Sequence, residues 1–317
     1  MFTEKEKRQI ADSVRKYLEM TSISQNKFAA QLGVSAATVS LILNSERWPV
    51  VSNEMWKSVA NKVMFGKGWL ISSTKNFKRI QGVCRALKLH GEMRAIIGPT
   101  DAGKTSALKN YRLNNANTFY VHCNESMSKR DLLYELITEL GIDAKKLKGA
   151  TSRYKLICRI ADELNQRSSP LIILDDFGKL SLPKRMVVQE IYDMTEGNCG
   201  ILLSSVDYAY EKFIKDAESE KPGMPELKRR LGDYFERLSA PEKSDIELVA
   251  RDNGIEDGSA IQWLVARCTG FGSLKTKISD ARKSGKPINA DLFNALFPKL
   301  AIESLGGGRR KEAAHAV

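Results

Sequence analysis

Residues 95–110 read A-I-I-G-P-T-D-A-G-K-T-S-A-L-K-N, and within them Gly98, Gly103, Lys104 and Thr105 fit G-x-x-x-x-G-K-[ST]. A turn that closes backbone N–H groups around phosphate oxygens has no room for a Cβ at such glycines. Lys104 in this pattern reaches the β- and γ-phosphates, and Thr105 brings its hydroxyl to Mg²⁺. Pro99, Thr100, Asp101 and Ala102 inside the loop, and Ser106 just beyond it, complete the expected ATP cradle. The flanks agree with that use. Residues 93–97 form a short apolar strand, and residues 105–111 open a helix whose N-terminus favours an anion. The bland alternative is a glycine turn between a strand and a helix. A P-loop narrows the chain around it to a parallel α/β sheet with helices on its faces.

Such a sheet is visible downstream. Residues 118–123 (T-F-Y-V-H-C) predict a second strand, with helices over 128–140 and 154–166. P-L-I-I-L-D-D-F at 170–177 is four apolar residues ending in acids, a buried parallel strand that delivers Asp175 to its C-terminal edge, where Mg²⁺ sits. Asp176 is then the adjacent general base for the attacking water. A helix over 184–195 and a further strand over 200–205 follow, with polar Ser204 and Ser205 at the strand end where a sensor residue belongs. Residues 226–238 predict one more helix carrying Arg229, Arg230 and Arg237, any of which can clamp a neighbouring subunit's γ-phosphate. Against each stands a solvated basic face.

The 317 residues carry a net charge of +12, and residues 65–130 hold twelve basic and only three acidic side chains. A basic excess gathered around the P-loop points to a polyanionic partner such as nucleic acid. Five scattered cysteines make no C-x-x-C pair, which removes a zinc or redox signal. Residues 1–10 are polar and charged, and no apolar run has transmembrane length, so a cytoplasmic protein with no membrane partner is expected.

Before the P-loop, residues 3–20 predict an amphipathic helix bearing Ile10, Val14 and Leu18 on one face. The following S-I-S-Q-N-K-F-A-A-Q-L-G-V-S-A-A-T-V-S-L-I-L-N reads as a helix-turn-helix. Ser24 caps the first helix, Gly33 turns the chain, and Ser35 caps the second. Ser35, Thr38 and Arg47 are the candidate DNA contacts of this domain, weighed against a small bundle for protein contact. Residues 65–75, with two glycines and a Ser/Thr cluster, read as a linker. After Pro241, four short helices predict an all-helical lid to residue 302, in which Lys275 can reach back to the nucleotide. A Gly/Arg/Lys-rich stretch at 303–317 predicts a disordered tail.

The P-loop, the D-D strand end, the polar strand end, the arginine helix and the helical lid together resemble an AAA+ ATPase. The preceding Ser24–Asn44 motif, and G-S-L-K at 272–275 followed by P-I-N-A-D-L-F, make the order similar to the Mu B-type transposition proteins of phages. The resemblance implies an AAA+ P-loop sheet (76–240) with a helical lid (241–302), preceded by an all-α helix-turn-helix domain (1–64). It implies an ATPase that assembles as an ATP-bound helical filament on duplex DNA in a bacterial host cell. It also implies selection of target DNA, delivery of that DNA to a DDE-type transposase, and stimulation of strand transfer. Residues 98–106 then hold ATP, Thr105 and Asp175 hold Mg²⁺, and Ser205 and Lys275 are sensors. DNA-backbone contacts fall on Lys129 and Arg130 and on Lys145, Lys146, Lys148 and Arg153.

Three departures bear on rate. Asp176 stands where the family has glutamate, and one methylene less moves a carboxylate by about 1.5 Å, which implies slow or partner-stimulated hydrolysis. Ser205 or Val206 occupies the region where the family has a polar sensor, often asparagine, and Lys275 replaces an arginine and its bidentate fork. Two other functions share this core: a helicase loader, and a transcription regulator in which ATP gates a repressor-type DNA-binding domain.

Overall fold

The computed structural model describes residues 2, 4–21, 24–64, 69–142, 152–232, 235–298 and 300. The chain divides into two compact units, one of residues 1–74 with 241–317 and one of residues 75–240.

The first unit begins with α1 (Glu4–Thr21), whose Ile10, Ala11, Val14 and Tyr17 are fully buried. Next come α2 (Gln25–Leu32) and α3 (Ala36–Leu43). Their ends form locally. Ser24 accepts a hydrogen bond from the Lys27 amide, Gly33 takes the left-handed conformation at φ 68°, and Ser35 accepts from the Thr38 amide. Phe28, Ala29, Leu32, Val39 and Ile42 pack between these helices as the helix-turn-helix pattern requires. A 3-10 turn over Ser45–Val50 then sends Trp48 into the core, where its Nε1–H donates to Ile42 O at 2.8 Å. α4 (Asn53–Lys62) adds Trp56, edge-on to Trp48.

Two short strands follow, β1 (Val63–Met64) and β2 (Trp69–Leu70), paired antiparallel. The expected linker therefore contains a strand. Leu70 N–H donates to Asn253 Oδ1 at 2.8 Å, and Asn253 Nδ2 donates back to Leu70 O at 3.2 Å, so a fully buried amide pairs with Leu70 as another strand would. Asn253 follows α12 (Lys243–Asp252), the first of the C-terminal helices of this unit. The expected helix-turn-helix domain and helical lid thus lie in one unit. Each keeps its own apolar core, and a polar seam joins them. Tyr17 OH donates to Asp252 O at 2.7 Å, and Lys27 pairs with Glu256.

The second unit opens with α5 (Lys75–His90), then β3 (Met93–Ile97), α6 (Lys104–Asn114), β4 (Thr118–His122) and α7 (Lys129–Glu139). α8 (Arg153–Asn165), β5 (Leu171–Asp175), α9 (Leu182–Thr195) and β6 (Gly200–Ser205) come next. α10 (Asp207–Glu218), α11 (Met224–Leu231) and β7 (Phe235–Arg237) end it. Five strands make one parallel sheet in the order β4-β5-β6-β3-β7. Strands covered on both faces must be apolar almost throughout, which is why β5 and β6 read L-I-I-L and G-I-L-L. One face carries Ile96, Ile173 and Leu202 against Ile80 and Leu87 of α5 and Leu108 of α6. The other carries Val121, Leu174 and Leu203 against α7, α8, α9 and α11.

The expected single helix over 226–238 is two elements. Gly232, at φ 68°, ends α11. The following F-E-R then lies parallel to Ala95–Ile97, and Leu238 N–H donates to Ile97 O at 2.7 Å. An alternating tripeptide suits an edge strand, and the free hydrogen-bonding side of β3 decides the matter.

The C-terminal helices α12, α13 (Gly258–Arg267), α14 (Phe271–Lys283) and α15 (Ala290–Leu296) surround Ile246, Leu264, Leu274, Ile278 and Phe293. Trp263 stacks on Phe293 with ring centres 4.9 Å apart. The expected tail at 303–317 lies outside the described residues.

Candidate nucleotide site

β3 ends at Ile97, and residues 98–103 turn directly into α6. Gly103 is the N-cap residue of α6 at φ 85° and supplies no side-chain cap, so the first N–H groups of the helix are not capped by its own side chain. Asp101 is also left-handed, at φ 61°. Gly98 has a second reason to lack a side chain. A Cβ there would lie 2.8 Å from Leu238 Cβ and 3.1 Å from Leu238 O, so β7 and the loop approach each other only with glycine at this place. Asn76, itself buried, donates to Ala102 O at 3.3 Å and to Ser239 O at 2.8 Å, tying the loop to the same segment.

Lys104 is buried and donates from Nζ to Gly98 O and Pro99 O, both at 2.7 Å. Burial lowers its pKa, and Asp175 and Asp176 oppose that shift. Thr105 Oγ1 donates to Asp175 Oδ2 at 2.7 Å, so the two proposed metal-holding residues meet across the loop. Asp175 is wholly buried and its charge is answered by three donors: Thr105, the Asp176 N–H at 3.1 Å, and Tyr120 OH at 2.8 Å. Burial first, and Asp175 second, push the Tyr120 phenol far above its ordinary pKa, so it stays a donor. An oxygen-only pair of one hydroxyl and one carboxylate fits Mg²⁺, which takes few protein ligands and fills its shell with phosphates and water. Among the described residues no group of three or more His, Cys, Asp and Glu could hold a metal by itself.

Asp176 is left-handed at φ 57° and accepts from Lys179 Nζ at 2.7 Å. His122 stands at the end of β4 with Nδ1 3.9 Å from Asp175 Oδ2 and Nε2 4.0 Å from Asp176 Oδ2. Neither Tyr120 nor His122 was singled out by sequence. Both lie on β4, and only the β4–β5 register, which sets His122 opposite Asp175, brings them here.

The other expected residues fall as follows. Ser205 pairs in register with Ile97 and lines a small cavity with Phe177, Tyr210 and Phe235. Ser204, one residue earlier, is paired with Ile96 on the face that packs against α6. It is fully buried, and its hydroxyl has no partner among the described residues. Lys275 belongs to the first unit, with its ammonium 5.5 Å from the centre of the Trp69 ring. Arg230 is bound to Asp193 through two nitrogens, one at 2.7 Å, whereas Arg229 is exposed. Arg237 lies over the Tyr210 ring at 5.2 Å, on β7 rather than on a helix.

Of the expected DNA contacts, Arg130 is exposed, lies over Tyr134 and donates to its hydroxyl at 3.2 Å. Lys129 is half-buried, and Arg153 is exposed at the start of α8. Lys145, Lys146 and Lys148 lie outside the described residues. Ser35 and Arg47 are exposed. Thr38 is only 3% exposed, which corrects its assignment as a contact. Its hydroxyl lies 2.9 Å from Ser35 Oγ and belongs to the helix cap.

No described helix is long and apolar enough to cross a membrane. Residues 88–212 match the family model described as AAA domain. No curated protein matches the sequence. Among solved structures the chain is similar to NtrX from Brucella abortus, at 13% identity and a TM-score of 0.47, over 81% of this chain and 62% of that one. It is similar also to NtrX from the same organism in complex with ATP, at 14% identity and a TM-score of 0.47, over 84% of this chain and 67% of that one. The chain thus spans under two thirds of the first of these. The matched residues 88–212 lie within the unit of residues 75–240, whose five-stranded parallel sheet with surrounding helices is the AAA+ fold.

Proposed function

We propose that this chain is an ATP-binding and ATP-hydrolysing switch that acts on double-stranded DNA. The observation that carries the nucleotide part is the 2.7 Å hydrogen bond from Thr105 to the buried Asp175, beside the buried Lys104. Lys104 and the first amides of α6 bind and orient the phosphates. Thr105 and Asp175 would hold Mg²⁺, which would supply charge neutralisation at the phosphates, and Asp176 takes the proton of the attacking water. Of the two arginines at the end of α11, Arg229 is the one to serve a neighbouring copy, because Arg230 is held by Asp193.

The DNA part rests on the helix-turn-helix and on the basic excess of residues 65–130. The finer reading keeps the expected assembly: ATP-bound copies line up as a filament on duplex DNA and offer it to a DDE-type transposase. The helix-turn-helix formed by α2 and α3 is the basis of a second reading, an ATP-gated regulator that binds chosen sequences.

The test is the fluorescence anisotropy of a labelled mixed-sequence duplex, with an ATP analogue, ADP or no nucleotide, for the full chain and for Lys104→Ala. Tight binding only with the analogue, lost in the variant, is expected. Affinity should drop by orders of magnitude between about 50 and 200 mM salt. Binding that ignores nucleotide and Lys104 would sink the switch. Electron microscopy of the same mixtures decides between filaments and discrete, sequence-placed complexes.

A further inference from the structure

We propose that Lys179 is a latch on Asp176, occupying the carboxylate that activates water and so restraining hydrolysis. The inference rests on the ATPase reading above. Lys179 Nζ donates to Asp176 Oδ2 at 2.7 Å. A general base needs a lone pair turned to the water whose proton it takes. With Lys179 donating to it, Oδ2 of Asp176 is occupied and takes that proton only after the ammonium leaves. The Lys179 ammonium is itself held above its ordinary pKa, chiefly by this hydrogen bond.

The latch is built into the backbone. Residues three apart eclipse each other in a 3-10 turn, and Phe177–Lys179 is such a turn, so Lys179 returns over Asp176. Two features hold the turn. Gly178 has no room for a Cβ, which would overlap Ala209 Cβ and come within 2.5 Å of Ser205 Oγ. Arg185, only 5% exposed, donates from Nε to Leu180 O at 2.8 Å and from a terminal nitrogen to Gly178 O at 3.2 Å. Its guanidinium lies 5.6 Å from the Phe177 ring centre. A buried arginine spent on two carbonyls of one short turn makes the turn rigid. Asp176 in the left-handed region adds a strained residue, of the kind kept where geometry matters to function. Lys179 and Asp176 are nevertheless partly exposed, 44% and 27% for the side chains, so the pair is weak enough to open.

The test has two arms. In the first, no nucleotide is used: the full chain is acylated on its lysines at mildly alkaline pH, and labelling of Lys179 is compared with that of exposed Lys155. Asp176→Asn should speed Lys179 labelling about threefold while leaving Lys155 unchanged. In the second, steady-state hydrolysis is measured beside the binding of a fluorescent ATP analogue. Lys179→Met should raise kcat about two- to fivefold with KM and nucleotide affinity unchanged, and Lys179→Arg, which restores the pair, should stay at the parent rate. Labelling indifferent to Asp176→Asn, or a kcat in Lys179→Met at or below the parent value, overturns the latch while leaving the ATPase reading intact. Failure of the parent chain to bind the analogue overturns that reading, and the latch with it.

Discussion

The Tyr120 hydroxyl donates to Asp175 Oδ2 at 2.8 Å, so the buried acid that ends β5 is oriented from β4 as well as from the P-loop. Two donors on the same oxygen, and the Asp176 amide on the other, leave this carboxylate one geometry. Tyr120→Phe removes one donor from a buried charge, a loss of about 1–3 kcal/mol. We expect affinity for the Mg²⁺ complex of a fluorescent ATP analogue to fall by about tenfold, with a lower melting temperature. An unchanged magnesium titration would show that Tyr120 is only packing.

Thr38 and Arg47 separate cap from contact. Thr38→Ala breaks the hydroxyl pair with Ser35 and should cost about 0.5–1.5 kcal/mol in urea denaturation, with no change in DNA affinity measured well below the transition. Arg47→Ala should leave stability unchanged and lower the slope of log affinity against log salt by about 1. The reverse pattern would return Thr38 to the interface.

Arg229 and Arg230 separate in the same way. Arg230 links α11 to Asp193 of α9, so Arg230→Ala should lower stability slightly, as partly exposed pairs do. Arg229→Ala should leave the melting curve alone and abolish only the part of hydrolysis that rises with protein concentration on DNA. A rate in Arg229→Ala that still climbs with concentration would exclude it as the residue shared between copies.

One acid limb is assignable. The Asp131 carboxylate accepts from the Ser128 amide at 2.8 Å, and that bond holds its pKa below the ordinary 3.8. A carboxyl with a depressed folded pKa contributes stability above its unfolded pKa and loses it as pH falls through the folded value. Asp131→Asn should therefore be less stable than the parent at neutral pH and indistinguishable from it at pH values below the folded pKa. Denaturation curves at the two ends of that window check it, and a constant difference at both would show that the cap acts without its charge.

The P-loop, the two aspartates and the paired caps of α2 and α3 were legible in the sequence because their chemistry is local. A phosphate turn needs its glycines and lysine within eight residues, and a cap needs its hydroxyl three residues from the amide it holds. The elements of the sheet were legible for a related reason: a strand buried on both faces must be apolar along its length. The edge was not legible. Phe235–Arg237 continues a helical-looking run, and it becomes a strand only because β3 has a free side and Gly98 has no Cβ against Leu238. Asn253 as partner of Leu70, 183 residues away, and Tyr120 as partner of Asp175, 55 away, likewise have no motif. Such contacts depend on strand register and helix packing, which are set by the whole core. Sequence alone determined which groups make up the loop proposed to hold a triphosphate. Tertiary structure decided which neighbours orient those groups, because a buried charge takes its donors from whatever elements the packing brings beside it.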